Sequence, residues 1–275
     1  MSGLPWRLHP VVLLVVVGLG VTQVVTATSH RQRRDALGAA VLLLVGTTWP
    51  LGDLAGTVSL TAATVQRLLI MIAWAPLWLR SLPPGLVARW TRPRLVDAVA
   101  RRLAHPVVAV LVVTVVGTVS LMPPVVDAAA RLPFVRALVV AVTAVLGVLL
   151  WTPVVGIVPG ARKLSALARA AYLFVSSLVV TSLSVVWIFA RHPLYSGLHH
   201  QQTVVGMSAL LDQQVAGFVA KLGAYLPLWL SAFVIFSRAD RAGDANETPL
   251  TWHDVERHFE RTRDEHPRES TLPEG

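Results

Sequence analysis

Residues 137–158 read ALVVAVTAVLGVLLWTPVVGIV, a run without one charged side chain that ends on Pro159-Gly160-Ala161-Arg162-Lys163. About 20 such residues in a helix cross the hydrocarbon core of a bilayer. A surface helix of a soluble protein would show an apolar stripe recurring every 3.6 residues, whereas here the apolar character runs all the way round. Comparable blocks occupy residues 11–27, 36–50, 57–79, 106–122, 170–190 and 212–236. Hydrophobic residues make up 54% of the 275 positions and charged residues only 14%, so the chain cannot cover its own surface in water. These blocks predict an all-α, polytopic membrane protein: a bundle of seven transmembrane helices over residues 1–237, then a polar tail over 238–275.

Orientation follows from the basic residues, because loops rich in Lys and Arg stay on the cytoplasmic side. The one-two, three-four and five-six loops together with the tail hold eighteen of the 24 Lys and Arg; the N-terminus and the other three loops hold four. Arg67 and Lys221 lie inside spans three and seven and complete the count. The expected topology is N-out, C-in. The net charge of +9 therefore belongs to topology and to contacts with membrane lipids, not to nucleic acid. A short interfacial helix is expected at about 95–103 in the basic three-four loop, and another amphipathic helix in the tail, with Trp252, Val255 and Phe259 on one face.

Other features limit the chemistry. The chain has no cysteine, which excludes disulfides and thiolate metal sites. The first block follows Arg7 but lacks a small-residue cleavage site and is read as a retained span. The sequon Asn246-Glu247-Thr248 falls on the expected cytoplasmic side and is read as accidental. Trp49, Trp74, Trp78, Trp90, Trp151, Trp187 and Trp229 lie mostly near block ends and are read as interface anchors. His199-His200 is read as a solvated loop pair, and His253 and His258, five apart, do not stack on one helix face. No nucleophile-base-orienter set and no phosphate-cradling glycine loop is present, so no catalytic residue is assigned and the chain is not read as an enzyme.

Ionisable groups within the hydrocarbon are costly and mark candidate sites. Arg67 and Lys221 each lie about nine or ten residues into a span that descends from the outer side, roughly 14 Å along the helix axis. Asp53, Asp127 and Asp212 stand on the same side. With Gln213 and Gln214, these residues form the candidate polar cluster: either a ligand or partner site, or structural ion pairs and snorkelling cations. Asp212-Gln213-Gln214 opens span seven as a cap, with the glutamines expected to hydrogen-bond a neighbouring span.

The order of several segments resembles the CtaG-type cytochrome c oxidase assembly proteins, seven-span bacterial proteins associated with copper insertion into the oxidase. Trp49-Pro50-Leu51-Gly52-Asp53-Leu54-Ala55 is similar to the family's Pro-Leu-Asp segment. Ala63-Thr64-Val65-Gln66-Arg67-Leu68-Leu69 falls on HMxQHLL and is followed by Ala75-Pro76. Leu121-Met122-Pro123-Pro124-Val125-Val126-Asp127-Ala128-Ala129 falls on HLPPxYDAA, and Gly147-Val148-Leu149-Leu150-Trp151-Thr152-Pro153 on GLLFWWP. Pro193-Leu194-Tyr195 and Asp212-Gln213-Gln214-Val215-Ala216-Gly217 resemble PxY and DQQxAG.

That resemblance implies a bacterial cell-membrane location, a role in assembly or accessory support of a haem-copper oxidase, and contacts with oxidase subunits or other assembly factors. It also implies copper, but the family's histidine positions carry Ala63, Arg67, Leu121, Arg136 and Val140 here, and arginine keeps its proton and cannot ligate copper at neutral pH. No metal ligand and no cofactor is therefore assigned. Arg67, with Arg136 or Lys221, is expected to stand where the ion would be, balanced by Asp127, Asp212 or Asp53. The alternative readings are a transporter or receptor that holds a small anion, against which the absence of an internal repeat counts, and a structural subunit of a larger complex.

Overall fold

The computed structural model describes residues 10–48, 50–198 and 206–244. Among these residues there are helices and no strand. Helices α1 (Pro10–Thr26) and α2 (His30–Thr47) form an adjacent pair. The short α3 (Leu51–Thr57) leads into α4 (Leu60–Leu68), a π-helical turn (Leu69–Trp74) and α5 (Ala75–Ser81), which run on as one rod. Then come α6 (Pro84–Trp90), α7 (Arg94–Leu103), α8 (Pro106–Val119), α9 (Pro123–Arg131) and the long α10 (Pro133–Val155). Helices α11 (Ala166–Val180), α12 (Ser182–Ile188) and α13 (Ala209–Asp244) complete the order. Contacts divide the chain into Met1–Ile235 and Phe236–Gly275. In the second unit the described residues, 236–244, are helical.

The bundle is organised round α10, which packs on α8, α9, α5 and the π-turn. Gly147 makes that packing close: a Cβ there would stand 2.8 Å from Met71 Cα and 3.2 Å from Met71 O. One turn on, Trp151 Nε1 donates to Met71 O at 3.0 Å and supplies a partner to a carbonyl of the π-turn. The core here includes Ile70, Leu150, Leu173 and Leu228, none measurably exposed. On the outside the pattern is inverted from that of a water-soluble protein: Leu14, Leu111, Val145, Leu226 and Phe233 are each more than half exposed. Leu60–Ser81, Pro133–Val155, Ala166–Ile188 and Ala209–Arg241 are long and apolar enough to cross a membrane, and α7 with α8 makes a fifth if that bent pair counts as one span. The protein is an all-helical membrane protein.

The remaining expected blocks also form helices, but shorter ones. Helix α8 has 14 residues, a rise of about 21 Å against a hydrocarbon core of roughly 30 Å. Helix α2 extends back through the basic run expected as a loop, since Arg and Gln are good helix formers and Ser29 Oγ caps the turn by accepting from Gln32 N at 3.2 Å. Helix α7 coincides with the expected interfacial segment. It is bent from α8 by 83°, has no buried residue, and leaves Leu95 and Val99 exposed. The tail helix, with Trp252, His253, Val255, His258 and Phe259, together with the sequon, Trp49 and His199-His200, lies outside the described residues.

The tryptophans are a correction. Trp74, Trp151 and Trp187 are core residues, not interface anchors, because each indole is enclosed by neighbouring helices. The indole N–H groups of Trp151 and Trp187 are bonded inside the protein, to Met71 O and Tyr195 Oη. Trp229, half-exposed, donates to Ser177 Oγ at 2.9 Å.

The contact at Gly147 is testable in detergent-solubilised protein. Gly147→Val forces the π-turn away from α10 and should cost about 1–3 kcal/mol, seen as a thermal midpoint lower by several degrees. Gly18→Ala, facing open space, should change stability by less than about 0.5 kcal/mol. Equal midpoints for the two variants would show that the close approach at Gly147 contributes little.

Candidate functional site

Ser59, in extended backbone, ends the segment before α4, and its hydroxyl accepts from Ala62 N at 3.2 Å. The same hydroxyl donates to Asp212 Oδ1 at 2.6 Å, while Leu60 N and Thr61 N donate to the Asp212 carboxylate at 2.7 and 3.3 Å. Thr61 Oγ1 donates to Asp212 O at 2.9 Å. Asp212 thus caps α4, not the helix that carries it; the first turn of α13 is capped by Ser208 Oγ, which accepts from Leu211 N at 3.2 Å. Gln213 Oε1 accepts from Leu194 N at 2.8 Å, and Gln214 Nε2 donates to Ala190 O at 3.2 Å. Three consecutive side chains thus bind two separate stretches of chain, 59–61 and 190–194.

The segment after α12 is tied down in the same region. Tyr195 Oη donates to Leu121 O at 2.9 Å and accepts from Trp187 Nε1 at 2.8 Å, the two rings meeting edge to face. Burial pushes the Tyr195 phenol up to about 12, and the Asp127 charge adds to this; the Trp187 hydrogen bond and the Arg67 charge oppose it. The phenol therefore keeps its proton at any physiological pH and remains a donor. Asp127 accepts from Ser196 Oγ at 2.7 Å and from Gly197 N at 2.8 Å. Gly197 is required there, since a Cβ would stand 3.0 Å from Asp127 Oδ1 and 3.1 Å from its Cα.

Between α4, the end of α8, α9 and the start of α10 lies a cavity of about 90 Å³. Ala63, Arg67, Leu121, Arg136 and Val140 all line it, with Thr64, Ser120 and Thr143 among the other wall residues. Helix periodicity explains the convergence: 63 and 67 share one face of α4, and 136 and 140 one face of α10. Arg67 Nη2 donates to Ser120 Oγ at 2.8 Å and to Gly117 O at 3.3 Å. Among the described residues the wall contains no His, Cys or Met and no carboxylate, so these donors do not fit a copper ion, which takes imidazole or sulfur ligands.

The other expected members of the polar cluster lie elsewhere. Lys221 Nζ sits 3.4 Å from Thr181 Oγ1, at the break between α11 and α12, and 4.5 Å from the Tyr225 ring centroid. Neither Lys221 nor Asp53, in the first turn of α3, lines the cavity. Among the described residues no ion pair joins Arg67, Arg136 or Lys221 to Asp53, Asp127 or Asp212. The seven residues form separate sites because Asp212 and Asp127 are already occupied in holding the chain together.

Gln214, Gln213 and Asp212 were visible in the sequence as a polar opening to a helix and Tyr195 as part of Pro193-Leu194-Tyr195; Ser59 and the Tyr195 partner Leu121 were not, since the two contacts span 153 and 74 residues. Removing the buried carboxylate by Asp212→Ala should cost about 3 kcal/mol by leaving Leu60 N, Thr61 N and the Ser59 hydroxyl without their acceptor. Asp127→Ala should cost about 1 kcal/mol, with its partners nearer the solvent. Thermal unfolding in detergent should rank them in that order, and the reverse ranking would deny Asp212 its role.

The family model described as the cytochrome c oxidase caa3 assembly factor (Caa3_CtaG) matches residues 13–242, a region that contains every helix from α2 to α12 and most of α1 and α13. No curated protein and no solved structure matches the chain. A match over most of the length, on an all-helical membrane fold, decides the relationship: the chain belongs to the caa3 cytochrome c oxidase assembly factor family.

Proposed function

We propose that this protein supports the assembly of a haem-copper cytochrome c oxidase through contacts with oxidase subunits or other assembly factors in the bacterial cell membrane, and that it does so without copper in the cavity at Arg67. Membership of an oxidase-assembly family supports the first part. The second is carried by one observation: the five positions at which the family resemblance places histidine converge on one cavity, and here they are Ala63, Arg67, Leu121, Arg136 and Val140. A guanidinium beside the cavity repels a cation and offers it no lone pair. The role left to the chain is that of a scaffold that recognises its partners and transfers no metal.

The proposed topology is seven spans with the N-terminus outside and the tail from Arg238 in the cytoplasm. It is supported by the way alternate connections associate. Asp212 with Ser59, Asp127 with Ser196 and Tyr195 with Leu121 join the two-three, four-five and six-seven connections. Arg80 pairs with Asp35 at 3.3 Å, and Gly160, at a φ of 71°, lies against Arg101, so the one-two, three-four and five-six connections associate separately. The second set carries eleven arginines and the first set three. The short α1, α2 and α8 cross by local thinning of the bilayer.

Because the chain has no cysteine, topology can be read with single substitutions. In intact spheroplasts, Ser196→Cys should react with a membrane-impermeant maleimide and Arg162→Cys should react only after lysis; the opposite pattern would invert the topology.

Deleting the protein should lower the assembled oxidase, and a tagged copy should co-purify with oxidase subunits or assembly factors. The purified chain should lose Cu(I) completely to a strong chelator. One equivalent of Cu(I) retained per chain would overturn the copper-free reading, and unchanged oxidase levels in the deletion strain would overturn the assembly role.

A further inference from the structure

We infer that the cavity between α4 and α10 binds a single oxyanionic group of the phosphate class, held by Arg67 and Arg136. The inference rests on the wall itself and stands whether or not the chain assists an oxidase.

The argument is one of unmatched donors. The neutral polar groups of the wall are already committed. Thr64 Oγ1 donates to Leu60 O at 2.8 Å, Thr143 Oγ1 to Val139 O at 2.8 Å, Ser120 Oγ to Gly117 O at 2.7 Å, and Gln66 Nε2 to Gly46 O at 2.6 Å. What remains is the pair of guanidinium groups. Arg67 uses one of its nitrogens, Nη2, on Ser120 and Gly117, and both of those acceptors are neutral. Arg136 makes no hydrogen bond or ion pair among the described residues. Two fixed positive charges thus face one cavity whose wall, among the described residues, holds no carboxylate, in surroundings that are otherwise mostly alanine, valine, leucine and isoleucine. Like charges in low-polarity surroundings repel, and a bound anion relieves that repulsion while taking up the free N–H groups.

Size and donor geometry select the ligand. At about 90 Å³ the cavity exceeds several-fold the 10–15 Å³ or so that one water requires, so it admits a multi-atom anion. Guanidinium presents its donors as a planar fork that matches two oxygens of an oxyanion, a match that a spherical halide does not offer. A phosphate oxygen set fits both arginines. Its source is either inorganic phosphate or the phosphodiester of a phospholipid headgroup, which share this chemistry.

The test uses the full chain purified in a maltoside detergent and exchanged into buffer free of phosphate and sulfate. Equilibrium dialysis against radiolabelled inorganic phosphate is run beside a count of phospholipid phosphorus retained per chain. One equivalent of saturable inorganic phosphate, weakened at least tenfold by Arg67→Gln and by Arg136→Gln, supports the site with a free ion as ligand. One retained phospholipid per chain, lost in both variants, supports it with a headgroup as ligand. Lys221→Gln, away from the cavity on Thr181 and Tyr225, should change neither. Arg136→Gln guards against misfolding of the Arg67 variant, since Arg136 holds no structural hydrogen bond among the described residues. Absence of both ligands, binding indifferent to both arginine substitutions, or displacement by chloride as effective as by phosphate would each overturn the inference.

Discussion

The carboxylate of Asp212 at the N-terminus of α4 is the interaction on which the rest of the site depends. A helix start leaves backbone N–H groups without partners, and within an apolar bundle no water supplies them. Here the missing acceptor comes from α13, more than 150 residues further along the chain, so one ionic cap fixes the position of two helices at once. Arg67 lies seven residues beyond Leu60, two turns down the same helix. Its place over the cavity is therefore set by the register that Asp212 imposes, and the neighbouring Gln213 and Gln214 secure that register by holding the chain around Leu194 and Ala190.

A second constraint acts from the opposite wall. Gly147 lets α10 lie against the backbone of the π-turn, and Trp151 satisfies a carbonyl which that turn presents. The π-turn begins two residues after Arg67, so the cavity is bordered on one side by a capped α-helical start and on the other by a shifted helical register. Leu60 and Ile70 belong to both frame and wall, but among the described residues the side chains at positions 63, 121, 136 and 140 make no hydrogen bond to Asp212 or to Trp151, so the wall can change its chemistry while the frame keeps its hydrogen bonds.

Much of the fold was legible in the sequence because membrane helices announce themselves by length and composition. The apolar run at 137–158 became α10, and the interfacial segment at 95–103 became α7, since Leu95 and Val99 recur at helical spacing among arginines. The lengths of α2 and α8 were less legible, because the basic run beside α2 is itself helix-forming and Pro123 starts a new helix soon after α8. The site was legible only in part. Helical spacing brought Ala63 with Arg67 and Arg136 with Val140, and both pairs face one cavity. Depth alone had suggested that Lys221 joined Arg67. Depth says nothing of azimuth, and Lys221 reaches Thr181, which does not line the cavity. The tryptophans misled for a similar reason: nearness to a block end did not reveal that Trp151 and Trp187 face inward to buried oxygen partners.

On the proposed reading, in which Arg67 stands where the family resemblance places a histidine, charge explains why arginine is workable at such a wall and not merely a loss. A metal ion held by neutral imidazoles leaves a net positive charge in the bundle, and the surrounding dipoles must tolerate it. Arginine carries the same sign without an ion, and Ser120 Oγ with Gly117 O already present oxygen towards Arg67. Replacement by an apolar residue would instead leave Ser120 Oγ without the donor that Arg67 gives it, while Gly117 O would keep only the hydroxyl of Ser120. Two guanidiniums also go beyond neutral compensation: they make the wall attractive to anions and repellent to cations, which is the reverse of what a metal-carrying site needs. On the proposed copper-free reading, the same scaffold, held by Asp212, Gly147 and Trp151, presents an electrostatic surface of opposite selectivity.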